Sequence, residues 1–335
     1  MIGFFRNLTL NNMIDYFFSK KEKVTIRFPK RLDFEDEAYT ESFFKHFEDI
    51  FNSELKNQMA ELIFEDTEFI YPSALIFFAS MVETLPSGVV ALSCNIQQDS
   101  PVHEYVFHCG FDRILKLPRF NSSKSTIASE VIRLQEISGK INESRQAKEL
   151  INLIEKNQTL SPMVRAATVD SFEEIFRNIN QHSSATRTYF IAQTYPRSNR
   201  VRFVIYDNGV GIKSHLTRID YPNTHQAFKE LISEDLYKEM KSGSANISIQ
   251  KAAVNMVSGT DYTQNSGAGL NFVLQELSVP TNGKVSILSE DGLVMWKSGK
   301  VIKSFGLPFK IKGTLVSVTI DVDPQTIIKY KSEVL

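Results

Sequence analysis

An α/β fold in two units is predicted for this chain, and three observations predict it. Between residues 24 and 120, strand-like runs alternate with helix-spaced segments at intervals that suit crossover units better than a meander. From about 161 the order changes to a long amphipathic helix, two strands, a polar insertion and short strands joined by glycine turns. The 335 residues are 42% hydrophobic, too much for one small core and about right for two domains.

The opening segment, 1–23, is apolar, but Arg6, Asn7, Asn11, Asn12 and Asp15 interrupt it as a secretory signal would not be interrupted. It is read as packing on its own domain or on a dimer partner, with weak membrane-surface association as the alternative. In the first unit, 24–120, "VTIRFP" is a strand and "TESFFKHFEDIFNSELKNQ" a helix with Phe43, Phe44, Phe47 and Phe51 on one side. "AELIFEDT" is the next strand, "SALIFFASMVETL" the second helix and "VVALSC" the third strand. "SPVHEYVFHCGFDRIL" is a helix that turns at Gly110. The polar texture of "NSSKSTIASE" marks a boundary, and 121–160 is read as a helical connector.

The second unit, 161–322, begins with the helix "VDSFEEIFRNINQHSSA" and the strands "TRTYFIAQTYP" and "RVRFVIYD". After "DNGVGI", a polar, helix-prone insertion runs over 213–266, and "NSGAGLNFVLQEL" is a glycine turn entering a helix. Antiparallel strands come next, joined by Asp-Gly, Ser-Gly and Lys-Gly turns. Residues 323–335 form a tail.

A formal net charge of -1 gives no sign of a general nucleic-acid binder, and no apolar run reaches the length of a transmembrane helix. Cys94 and Cys109 lack metal-ligand spacing and are read as reduced, buried thiols, which points to the cytoplasm. The 25 Phe are spread along the chain and suit cores and interfaces.

Three stretches carry candidate chemistry. Glu174, Asn178 and His182 recur every four residues and share a helical face, opposite Phe172, Ile175, Phe176 and Ile179. An Asn carbonyl oxygen suits magnesium, which keeps several waters, and a carboxylate one turn earlier suits a base acting on water or a hydroxyl. Asp207 ends a buried strand, where a carboxylate accepts a hydrogen bond from an exocyclic amine such as that of adenine. Gly209 and Gly211 then let backbone approach the base without a Cβ in the way. Gly267 and Gly269 stand at a helix start, where free N–H groups favour phosphate oxygens.

In this order and spacing the stretches resemble the GHKL superfamily, the ATP-binding module of histidine kinases, DNA gyrase and the serine kinases that act as anti-sigma factors. "EIFRNINQH" is similar to its N box, "DNGVGI" to its first glycine box, "GAGL" to its second and "KGTLVSVTI" to its closing strand. The resemblance implies a two-layer α/β sandwich with a mixed sheet and a mobile ATP lid over 213–266. It makes Glu174 the general base and Asn178 the Mg2+ ligand, with Asp207 reading adenine. Gly209, Gly211, Ile212 and His182 would shape the pocket, Gly267, Gly269 and Leu270 would flank the phosphates, and Thr314 would approach the nucleotide. Lys251, Ser258, Thr260 and Thr263 are candidates to meet the γ-phosphate, or simply an exposed polar face. No histidine lies in 121–165, so the phosphoacceptor helix of a sensor kinase is missing.

The first unit resembles a STAS domain, the fold of anti-sigma factor antagonists. In signalling members a serine after the strand is phosphorylated. Here the matching stretch is "YPSA", with Pro72 at the acceptor position and Ser73 beside it. Proline has no hydroxyl, so the domain is expected to act as an interaction or regulatory surface, and Ser73 to cap the next helix. Three functions are compatible with these features: Mg-dependent ATP binding with slow hydrolysis that moves a lid and switches a protein interface or homodimer, a serine/threonine protein kinase, or a non-catalytic ATP-binding module.

Overall fold

A computed structural model describes residues 23–52, 59–84, 91–96, 100–113, 131–157, 159–254 and 269–322. The first unit holds β1 (Lys23–Arg27), β2 (Arg31–Leu32), α1 (Thr40–Asn52), β3 (Met59–Ile63), β4 (Phe69–Ile70), α2 (Pro72–Thr84), β5 (Ala91–Asn95) and α3 (Pro101–His108). Strands β1, β3 and β5 pair in parallel in that order, as crossover connections require, and β2 pairs in parallel with β4. The chain turns after α3 at Gly110, whose φ of 80° favours glycine.

The remainder comprises β6 (Val131–Ser138), α4 (Glu143–Asn157), α5 (Pro162–Asn178), β7 (Arg187–Tyr195) and β8 (Arg200–Asp207). The insertion supplies α6 (Ile212–Leu216), α7 (Gln226–Leu231), α8 (Glu234–Ser242) and α9 (Ala245–Val254). Then come α10 (Gly269–Phe272), β9 (Lys284–Ser289), β10 (Gly292–Lys297), β11 (Lys300–Gly306) and β12 (Thr314–Asp321). Strands β6 to β12 form one seven-stranded sheet in the order β11-β10-β9-β12-β8-β7-β6.

Every neighbouring pair in this sheet is antiparallel, which corrects the expected mixed sheet. The reason lies in the connections: tight turns join β7 to β8, β9 to β10 and β10 to β11, and β12 enters between β9 and β8 antiparallel to both. The connector read as helical over 121–160 also needs correction. Residues 131–138 are a strand on the sheet edge, while helix α4 covers 143–157. Polar Arg133, Gln135 and Glu136 obscure the strand pattern because an edge strand leaves much of its surface in solvent.

Two cores cover the two faces of the sheet. On one, Phe190, Phe203, Ile205, Ile287 and Trp296 pack with α4, α5 and α9 residues such as Ile154, Phe172 and Ile249. On the other, Tyr189, Val204, Tyr206, Leu288 and Met295 join the phenylalanine core of the first unit, including Phe43, Phe47, Phe77 and Phe78. Alternate residues of each strand go to alternate cores, and β7 and β8 are buried along nearly their whole length. Helix α2 lies across β7, β8 and β12, so a third layer is added to the expected two-layer sandwich.

The Ser298–Gly299 turn has φ of 48° and 74°, as a two-residue hairpin demands. The expected Asp-Gly turn is shifted by one residue: Glu290, with φ 53°, and Asp291 make it, and Gly292 already belongs to β10. A Cβ at Gly292 would stand 2.1 Å from the Asn246 nitrogen, so glycine there lets α9 seat on the sheet. Ser73 is fully buried in the second position of α2 and makes no cap bond, because Pro72 begins the helix and puts Tyr71 at the cap. Among the described residues no helix is long and apolar enough to cross a membrane. Cys109 is a buried thiol, pushed up to about 12 by burial, whereas the Cys94 side chain lies outside the described residues.

Candidate functional site

A cavity of about 820 Å³, counting its open mouth, lies between α5, the ends of β8 and β12, α6 and α10. Its walls are mainly aliphatic, from Ile175, Ile179, Ile205, Leu216 and Val316, and its polar groups come from Asn178, Ser183, Asp207, His215 and Thr314. A concave, apolar space with a few convergent polar groups is the usual form of a small-molecule site.

Helix α5 starts at Ser161, whose hydroxyl accepts from the Val164 N–H, with Pro162 next in line. Beyond Asn178 it continues as a wide turn of π type over Ile179–Ser183 and stops at Ser184 in a left-handed conformation. That wide turn sets Ile179 and Ser183 on the cavity. The Ser183 carbonyl accepts from the Val210 N–H at 2.8 Å, docking the helix end onto the glycine turn.

Asp207 closes β8, opposite Thr314 of β12 and Thr188 of β7, and is 4% exposed. Its Oδ1 accepts from the Gly209 N–H at 2.9 Å. Burial raises its carboxyl to about 7, against the opposing pull of the Gly209 N–H and the Ser183 hydroxyl. A carboxylate poised near neutrality in a cavity is a mark of functional sites. The neighbouring Asn208 accepts from the Thr186 and Arg187 N–H groups, at 2.9 and 3.0 Å, and so fixes the turn.

The two glycines of this turn have separate reasons. A Cβ at Gly209 would stand 2.2 Å from the Ser183 carbonyl oxygen, so glycine permits the docking of the α5 end. Gly211 has φ 84° and lies on the cavity, with Glu290 so close that a Cβ would meet its side chain at 2.6 Å. Glu290 in turn accepts from the Ser214 N–H and hydroxyl, at 2.9 and 2.7 Å, pinning the first turn of α6. The Ile212 N–H donates to the Ser289 hydroxyl at 3.0 Å, and that hydroxyl lies 2.9 Å from Thr314 Oγ1.

Of the residues expected from the sequence, Asn178, Asp207, Gly211, Ile212, Leu270 and Thr314 all meet at the cavity. Gly269 opens α10 beside it. Gly267 and the side chain of His182 lie outside the described residues, as do Ser258, Thr260 and Thr263; Lys251 is partly buried on α9. Glu174 does not line the cavity, and its carboxylate is held by the Arg177 guanidinium. Arg177 Nε lies 4.0 Å from Glu143 as well, so it stands between two acids.

The cavity face of α5 is thus the arc of Ile175, Asn178 and Ile179, with Glu174 outside it. Sequence reasoning assigns the two isoleucines only to the core. It also misses His215, Ser183 and Glu290. Glu290 acts on a segment 76 positions away, which no local pattern discloses. His215 comes one helical turn after Gly211, a spacing that does place it on the side of the glycine turn.

The insertion is more than a polar flap. Leu216, Phe228, Ile232, Tyr237, Met240 and Ala252 make a small core of their own, and Ile249 and Ala253 of α9 belong to the main core. No protein-family profile and no curated protein matches this chain.

Proposed function

We propose that the cavity binds ATP together with Mg2+ and that nucleotide occupancy serves as a switch, with hydrolysis slow. The observation that carries this reading is Asp207: a buried carboxyl, raised to about 7 by burial, in the lining of an aliphatic cavity that Asn178 and Thr314 also line. The aliphatic walls suit a flat heterocycle, and the ionised carboxylate accepts from an exocyclic amine. The convergence of residues from four GHKL-like motifs, Asn178, Asp207, Leu270 and Thr314 among them, on one cavity supports the same reading over an unrelated apolar ligand.

The residues also suit the cation. Asn178 offers an amide oxygen, and among the described residues no group of three His, Cys, Asp or Glu side chains is built to hold a metal. A magnesium ion bound there would take most of its oxygens from phosphates and water and would neutralise phosphate charge. Glu174 does not line the cavity, and this favours a second reading, a binding module with no turnover.

Calorimetry with ATP tests the proposal. D207N should lose roughly 1.5–3 kcal/mol of binding free energy, as expected for a charge-assisted bond. N178A should lose affinity in Mg2+ but match wild type in chelator. Labelled ATP separates the outcomes: free phosphate marks an ATPase, labelled protein a kinase, and stabilisation without either a binding module. Equal ATP affinity in wild type and D207N would remove Asp207 from the base site.

A further inference from the structure

The first unit reaches the segment that leads into the cavity wall at Thr314. Thr84, the last residue of α2, accepts a hydrogen bond from the Lys312 N–H at 2.7 Å. The same hydroxyl donates to the Ser80 carbonyl at 2.7 Å, so its orientation is fixed. Lys312 is held on its other side, where its carbonyl accepts from the Tyr206 hydroxyl at 2.8 Å. Both backbone groups of one residue are therefore clamped, one by the first unit and one by β8.

Immediately after Lys312 the chain enters the site. Gly313 has φ 82°, and a Cβ there would fall 1.8 Å from the Asp207 carbonyl oxygen and 2.8 Å from the Gly209 nitrogen. Its carbonyl accepts from the Ser289 hydroxyl at 3.1 Å. Thr314 then enters the cavity. Over three residues the chain runs from a bond with α2 to the backbone of Asp207 and to the cavity lining, with no slack at Gly313.

We infer that Thr84 is a positioning residue for the nucleotide site, so that the first unit braces one wall of the pocket and senses its occupancy. The inference rests on the reading of the cavity as a nucleotide site. It assigns the first unit a role that needs no phosphorylation: Ser73 is fully buried, and Tyr71 beside it is stacked against Arg202, with the guanidinium 4.4 Å from the ring centre. The signal passes through residues 312–314. Reciprocity requires that if α2 aids nucleotide binding, nucleotide strengthens the α2 contact equally.

The full-length chain provides the test, with T84V removing the acceptor at nearly constant shape and T84S retaining it. ATP affinity by calorimetry should fall about threefold to tenfold in T84V, the range of one neutral hydrogen bond, and return in T84S. Hydrogen exchange read in wild type should slow in both 72–84 and 312–314 when ATP is added. A T84V protein that binds ATP as wild type does would overturn the inference, and so would equal losses in T84V and T84S, which indicate packing alone. Should T84V not fold, wild-type protection confined to 312–314 overturns it as well. Failure of wild type to bind ATP refutes the nucleotide reading, and this inference with it, a result distinct from all of these.

Discussion

Strand β8 carries two buried charges five residues apart, and the fold treats them in opposite ways. Arg202 faces the first unit. Its guanidinium is 3.0 Å from Glu35, its Nε donates to the Thr319 hydroxyl at 2.9 Å, and it lies over the Tyr71 ring. Burial works to lower its pKa, but Glu35, Tyr195 and Asp33 raise it on balance, so it is charged at every ordinary pH. Asp207 faces the cavity, with a backbone N–H and a serine hydroxyl as its partners, and burial moves its carboxyl up to about 7. The charge that serves the fold has a countercharge. The charge at the cavity has none among the described residues, and an unbalanced carboxylate is the one with capacity left for a ligand.

Breaking the balanced side should have the largest effect. E35Q leaves buried Arg202 without its ion-pair partner, and neither Glu35 oxygen has a well-aligned hydrogen bond that would survive the change. A loss of about 3–5 kcal/mol in chemical unfolding is expected, because removing one member of a buried pair strands the other. The double variant E35L/R202M should recover most of it, since packed apolar residues often replace such a pair at little cost. If E35Q unfolds at the wild-type denaturant concentration, Arg202 is better solvated than its burial implies.

On the unbalanced side the sign reverses. The folded carboxyl of Asp207, at about 7, lies above its ordinary value of 3.8. The stability that comes from holding the proton is therefore complete below pH 3.8 and is lost as pH rises through 7. D207N keeps an uncharged group there at all pH values. Without nucleotide it should gain on wild type as pH rises from about 4 to 7, with a plateau above, by roughly 2–4 kcal/mol at most. The same substitution should cost ATP affinity. A variant more stable without ligand and weaker with it would separate function from folding at this position. Parallel stability curves for the two proteins from about pH 4 to 8 would show that Asp207 is ionised throughout, contrary to its burial.

This contrast also shows what was legible in the sequence. Strand endings, glycine turns and the four-residue rhythm of α5 are local and lead to Asn178, Asp207 and Gly211; the family resemblance adds Leu270 and Thr314, and all five line one cavity. The parallel order of β1, β3 and β5 accords with the alternation of strand and helix. What escaped is non-local. Arg202 and Glu35 are 167 positions apart, and neither reads as buried in a strand or loop with ordinary polar content. The second cover of the large sheet depends on α2 landing on β7 and β8, although the consecutive apolar residues of those strands, "YFIA" and "FVIY", were a signal that both faces are buried. The edge strand β6 was lost for the opposite reason, its polar alternation being too weak to read.

Between the two extremes stands Glu174, paired with Arg177 but partly open to water, the side chains being 22% and 42% exposed. A pair this exposed contributes about 0.2–1 kcal/mol, so Arg177 acts at most as a light restraint on the carboxylate. If Glu174 is the general base, R177Q should raise ATP turnover by no more than about fivefold, the factor that such an energy allows. E174Q and the double variant should both fall by about 10²–10⁴-fold, as a lost base requires. Phosphate release at saturating ATP and Mg2+ measures all four proteins. R177Q faster than wild type with the double variant inactive would make the pair a restraint on catalysis. R177Q slower than wild type at unchanged ATP affinity would reverse the assignment, because Arg177 would then be holding Glu174 in its working position. No turnover in any of the four, with ATP bound by all, would leave the cavity a switch without chemistry and return the pair to the ordinary work of joining α5 to Glu143 at the start of α4.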